Sequence, residues 1–127
     1  MIPAQLTEEV ETLRREGYSV DLVDAEGFAN LVFHNYPVPQ GYNRETTELL
    51  LRFPPSYPNG RPDMFWTDED LKLKDGRIPR SADSIETPLG KRRRRFSWHP
   101  QNWNPGIDNL KTYIEFVNTG LAKARNL

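Results

Sequence analysis

The 127-residue chain contains no cysteine. That excludes disulfides, thiolate metal sites and thiol nucleophiles. Histidine is scarce too: His34 and His99 are the only two, too few for a histidine metal site without carboxylate help. No cofactor is expected. No apolar run approaches a membrane span. The opening residues, MIPAQLTEEVE, are acidic and lack the basic start and apolar core of a secretory signal, so a cytoplasmic protein is expected. An excess of one charge is also missing. Seventeen basic and eighteen acidic side chains leave a net charge of −1, and bulk charge predicts no nucleic-acid partner.

Proline, by contrast, is plentiful at eleven residues, four of them in one short stretch. Leu49 to Trp66, LLLRFPPSYPNGRPDMFW, holds two apolar runs separated by Pro54, Pro55, Pro58 and Pro62. Each proline fixes φ and removes a backbone donor, and Asn59-Gly60 adds a turn-prone pair. The stretch reads as strand, stiffened turn, strand, with Thr46 to Phe53 the first strand and Asp63 to Trp66 the second. Apolar content of 36% and charged content of 28% suit a folded chain, and a single domain over 1–127 is expected.

Upstream, Leu6, Val10 and Leu13 recur at helical spacing, which predicts an amphipathic helix over Ala4 to Glu16. Acidic residues lie early and Arg14 and Arg15 late, as the helix dipole favours, and Gly17 is a natural stop. Tyr18 to Val23 and Phe28 to Asn35 read as strands joined by a short turn at Gly27. His34 is a strand-end residue without chemistry. Tyr36 to Asn43 is a proline-set loop. From Thr67 to Arg95 periodicity is lost, and a long loop is expected. Its carboxylates Asp68, Glu69 and Asp70 have no metal-loop spacing and read as solvated.

Near the C-terminus, Asn104 and Pro105 suit a helix start, and Ile107, Leu110, Ile114, Val117 and Leu121 share one face of a helix running to about Ala124. Consecutive antiparallel strands between terminal helices make the fold class α+β.

Phe53-Pro54-x-x-Tyr57-Pro58-x-x-x-Pro62, an aromatic strand after it, and Trp103-Asn104-Pro105 before the last helix together resemble the ubiquitin-conjugating (UBC) fold. Nearly the whole chain follows that family's order, and it is most similar to the prokaryotic UBC-like proteins of bacterial ubiquitin-like systems. The resemblance implies an N-terminal helix, a four-stranded antiparallel meander, a long active-site loop and a C-terminal helix. It also implies a ubiquitin-like modifier and an activating enzyme as partners, the latter docking on the first helix. The family's nucleophile is a cysteine between two apolar residues shortly before Trp-x-Pro. Phe96-Ser97-Trp98 stands there, so Ser97 is the candidate acceptor of a modifier C-terminus, held as an oxyester. The family's His-Pro-Asn tripeptide is absent from its usual place. The similar run His99-Pro100-Gln101-Asn102 falls after the nucleophile position, and that role is not carried over.

A serine needs a base. In an extended segment residues i and i+2 face one side, which makes His99 the candidate base for Ser97. Asn102 is a candidate oxyanion donor. Three plainer readings stand beside this one: a catalytically inactive UBC-like adaptor, a replaced natural cysteine, or a simple tight turn at His99-Pro100. The five adjacent charges Lys91, Arg92, Arg93, Arg94 and Arg95 are read as a docking site for an acidic surface on the modifier or the activating enzyme. The plainer alternative is a solvated loop. Phosphate contact is also open to them, without the aromatic interleaving that would favour it.

Overall fold

A computed structural model describes residues 1–127. Helix α1 spans Ala4–Arg15 and buries Leu6, Val10 and Leu13, the stripe read from the sequence. Strands β1 (Val20–Ala25) and β2 (Phe28–Pro37) follow, with Ala25 paired to Phe28 across the two-residue turn Glu26-Gly27. Both turn residues have positive φ, 57° and 81°, the geometry that matches strand twist. Strand β3 covers Thr46–Phe53 and β4 Phe65–Asp68. Beyond them come β5 (Ser84–Glu86), β6 (Arg93–Phe96) and helix α2 (Leu110–Lys123). The fold is α+β, with one antiparallel sheet in the order β1-β2-β3-β4-β6-β5.

Both helices and one sheet face share a single apolar cluster that includes Leu6, Leu31, Leu51, Phe65, Phe96 and Val117. Alternation along the strands sends Val32, Leu50 and Trp66 to the opposite face, where Leu89 lies against them. The proline turn is tied into the main core. Phe53 and Tyr57 are buried with ring centroids 4.9 Å apart. The Tyr57 hydroxyl donates to Glu9 Oε1 at 2.6 Å, while Glu9 Oε2 accepts the Leu110 amide at 3.1 Å. One carboxylate thus joins α1, the turn and the start of α2.

Three expectations are corrected. The meander gains two strands, because the stretch from Thr67 to Arg95 is not one continuous loop. Its end forms the β5–β6 hairpin, and β6 pairs along β4. The expected strand Asp63 to Trp66 starts later, at Phe65, since Met64 takes a left-handed φ of 59°. Helix α2 begins at Leu110 rather than Pro105. Asn104 instead closes a tight turn, its side chain accepting the Gly106 amide and its amide donating to Asp108. The helix cap is Asn109, in a reciprocal capping box with Thr112. Ile107, expected on the buried face, is 70% exposed on that turn.

The basic run is likewise not a solvated loop. Arg93 and Arg94 are buried in β6. Arg93 pairs with Glu48 at 2.8 Å, and Arg94 donates to the carbonyls of Ala82 and Glu69. Lys91 bridges Glu48 and Asp68, Arg92 pairs with Glu69, and Arg95 with Glu86. Asp68 is therefore a half-buried anchor, not a solvated carboxylate. It also holds Arg44 at 3.0 Å and accepts the Glu48 amide. No helix is long and apolar enough to cross a membrane.

Burial alone would raise the Glu48 carboxyl, but Lys91 and Arg93 outweigh it and hold it below its ordinary value. Asp68 is lowered in the same way, burial being outweighed by the Glu48 amide, Lys91 and Arg44. A carboxyl held low in the fold stabilises above its ordinary value and loses that contribution as pH falls through the depressed one. The urea midpoint should therefore fall as pH drops below the ordinary glutamate value of 4.5. Glu48→Gln should cost about 2 kcal/mol at neutral pH, because Arg93 loses its partner while buried, and should flatten the acid limb. An unchanged acid limb would show that Glu48 does not carry it.

Candidate functional site

Ser97 follows β6 directly. Phe96 is fully buried and stacked on Phe65, with centroids 5.0 Å apart, and Trp98 is packed against the same core. Gly120 of α2 makes room there: a Cβ would sit 3.2 Å from the Phe65 ring and 3.5 Å from Trp98. With aromatic neighbours turned inward on both sides, Ser97 turns outward and is half-buried.

The Ser97 hydroxyl is the end of a polar chain. Trp66 Nε1 donates to Glu86 at 2.9 Å, Glu86 pairs with Arg95 Nη1 at 2.8 Å, and Arg95 Nε donates to Ser97 Oγ at 3.0 Å. Ser97 Oγ accepts in this contact, and no acceptor within the chain takes its proton. The Ser97 amide is held by the Ser81 carbonyl at 2.9 Å.

His99 is exposed, and its Nδ1 lies 2.7 Å from Asp63 Oδ1. Arg61 donates to the same oxygen at 3.0 Å. No hydrogen bond joins His99 to Ser97. Asn102 is exposed, takes a left-handed φ of 58°, and makes no side-chain hydrogen bond. The structure thus places Ser97, His99 and Asn102 along one outward segment without linking them directly. A shallow cavity of about 120 Å³ begins at Pro100 and is lined by Gln101, Trp103 and Phe116, with neither Ser97 nor His99 in its wall. Trp103 is a packing anchor: its Nε1 donates to the Pro58 carbonyl at 2.8 Å, and its ring contacts Tyr57 and Tyr113.

What fixes the segment is Met64. Its amide donates to the Trp98 carbonyl at 3.2 Å, and its carbonyl accepts the buried Tyr113 hydroxyl of α2 at 2.5 Å. Three of the six non-glycine residues with positive φ border the segment: Met64, Ser81 and Asn102. Such backbone is held only where its surroundings over-determine it, and it concentrates at functional sites.

Sequence reading missed Arg95 as the partner of Ser97, and Asp63 altogether. Asp63 is 36 positions from His99, so only the folded chain brings the two together. The signal available for Arg95 was its spacing of two from Ser97. Within the basic run, Lys91 and Arg92 keep exposed side chains at 51% and 64%, whereas Arg93 is spent inside. No group of three or more His, Asp or Glu side chains could hold a metal ion.

A family model described as Prokaryotic E2 family E matches residues 6–124. No curated protein and no solved structure matches the chain.

Tyr113→Phe tests the Met64 anchor. Losing the hydroxyl leaves the Met64 carbonyl unpaired and should cost about 1 kcal/mol, read as a lower melting temperature. Amide exchange at Met64 should accelerate, while the Ser97 amide, held from Ser81, keeps its protection. Equal loss at both amides would mean the two ties are not separate.

Proposed function

The chain belongs to prokaryotic E2 family E, and from that premise we propose that it receives the C-terminus of a ubiquitin-like modifier from an activating enzyme, with Ser97 as acceptor. With no cysteine in the chain, a thioester on it is chemically excluded, and an oxyester is the available counterpart. The observation that carries this reading is the state of the Ser97 hydroxyl. Its oxygen is gripped by the Arg95 guanidinium, and its proton is uncommitted. A cation on the oxygen favours the alkoxide and leaves the proton for a base.

In the step, Ser97 Oγ attacks the thioester carbonyl that joins the modifier to the activating enzyme. The C–O bond forms and the C–S bond breaks. The serine proton passes to His99 and on to the departing thiolate. Asn102, whose side-chain amide has no partner within the chain, is the donor assigned to the oxyanion. Lys91 and Arg92, exposed though each is paired with a neighbouring carboxylate, are the residues assigned to meet an acidic partner surface, with Arg93, Arg94 and Arg95 anchoring the strand behind them.

A second reading, a non-catalytic adaptor that binds modifier or activating enzyme, is favoured by one observation. Ser97 Oγ already ends a structural chain through Arg95 to Glu86, with no bond to His99.

Incubation with modifier, activating enzyme and ATP separates the two. The acceptor reading expects an adduct sensitive to hydroxylamine, resistant to thiols, and lost in Ser97→Ala. Ser97→Cys should convert it to a thiol-sensitive adduct that forms faster. Modifier binding without any adduct, unchanged in Ser97→Ala, would establish the adaptor instead.

A further inference from the structure

We infer that Asp63 is a positioning residue that fixes the tautomer of His99, leaving Nε2 as the bare nitrogen that takes the Ser97 proton. The inference rests on the acceptor reading of Ser97 and adds to it a second residue.

A carboxylate only accepts hydrogen bonds, so at 2.7 Å the Nδ1 of His99 must be the donor to Asp63 Oδ1. In a neutral imidazole the other nitrogen is then unprotonated and is the acceptor. This is the arrangement a general base requires, and neither sequence spacing nor exposure would supply it. A solvent-exposed histidine without a partner exchanges between tautomers, and only part of its population would present a bare Nε2.

The contact is built rather than incidental. Asp63 precedes Met64, whose left-handed backbone is tied on one side to the Trp98 carbonyl and on the other to the Tyr113 hydroxyl. Phe65 pairs with Phe96 in the adjoining ladder. The Met64 amide bonds to the Trp98 carbonyl, one residue out of that register, and this shift brings residue 63 alongside His99. Pro62 fixes φ on the other flank. Arg61 donates to the same oxygen of Asp63 at 3.0 Å, which offsets its charge without displacing the imidazole. The His99–Asp63 pair is too exposed to matter much to stability. Its effect is on orientation and on which nitrogen holds the hydrogen.

Two measurements test this, one of them independent of any partner. Nitrogen-15 NMR of the imidazoles at mildly alkaline pH, with His34→Gln to assign the two rings, should show His99 protonated at Nδ1 and bare at Nε2. Asp63→Ala should return the ring to the mixed tautomers of free histidine, while Arg61→Gln leaves it unchanged. A His99 protonated at Nε2 in the parent protein, or a ring indifferent to Asp63→Ala, overturns the inference. In the adduct assay, Asp63→Ala should slow formation at Ser97 by about tenfold or more at unchanged fold stability, and Asp63→Glu should recover part of it. An adduct that forms at the parent rate in Asp63→Ala overturns the positioning role and leaves Ser97 standing as acceptor. No adduct in the parent protein overturns Ser97 and the base role together, and the NMR result then identifies the pair as a static contact.

Discussion

A single residue, Met64, holds the geometry of the candidate site through its backbone. Its amide and carbonyl reach in different directions, to the segment after β6 and to α2. The left-handed φ that allows this also ends the proline turn and delays β4 to Phe65. The sheet, the last helix and the Ser97–Asn102 segment therefore share one fixed point. Side chains near it inherit their directions. Ser97 is turned out because Phe96 and Trp98 are turned in, and Asp63 meets His99 where the Met64 amide bonds to the Trp98 carbonyl, one residue out of the Phe65–Phe96 register.

The second constraint is charge compensation within the sheet. Three consecutive arginines in a strand would repel one another and resist burial. They are accommodated because alternation separates them. Arg93 and Arg95 meet Glu48 and Glu86, while Arg94 meets backbone carbonyls at Ala82 and Glu69. Arginine suits this better than lysine would, since its planar fork can satisfy several acceptors in fixed directions. Lys91 and Arg92 lie at the entry to the strand, where solvent is near, and their partners Glu48, Asp68 and Glu69 sit on strands or loops already in place.

How far these features can be read from the sequence follows from the range of the forces behind them. Helix α1 and the body of α2 are legible because Leu6, Val10, Leu13, Leu110, Ile114, Val117 and Leu121 repeat at helical spacing. The β1–β2 hairpin is legible because Gly27 marks its turn. The β5–β6 hairpin is not, since a run of five cations carries no apolar alternation and its neutralising carboxylates lie as far as 45 positions away. The start of α2 is hidden in the sequence for a local reason. Asn104 and Asn109 are both competent caps, and Gly106 together with the Asp108 carboxylate turns the first into a loop closure. Ser97 and His99 could be named from position and spacing. Their actual partners, Arg95 and Asp63, divide into one that spacing could have suggested and one that only tertiary pairing produces.

The chemistry these residues can support is narrower than that of a cysteine site, for a physical reason. A thiol ionises near neutrality and needs little assistance, whereas a hydroxyl attacks only when its proton is removed in the same event. An acceptor serine must therefore be placed between a group that stabilises negative charge on oxygen and a group that receives the proton. Arg95 is the cation on the Ser97 oxygen, and its Nη1 pairs with Glu86. The second requires that a histidine present a bare nitrogen, which an unpartnered ring does only part of the time. A carboxylate on Nδ1 removes that loss without burying the ring, and an exposed ring remains reachable by a bulky thioester donor that a closed cleft would exclude. The open, solvent-facing placement of His99 is thus compatible with a protein-sized substrate in a way that a deep pocket would not be.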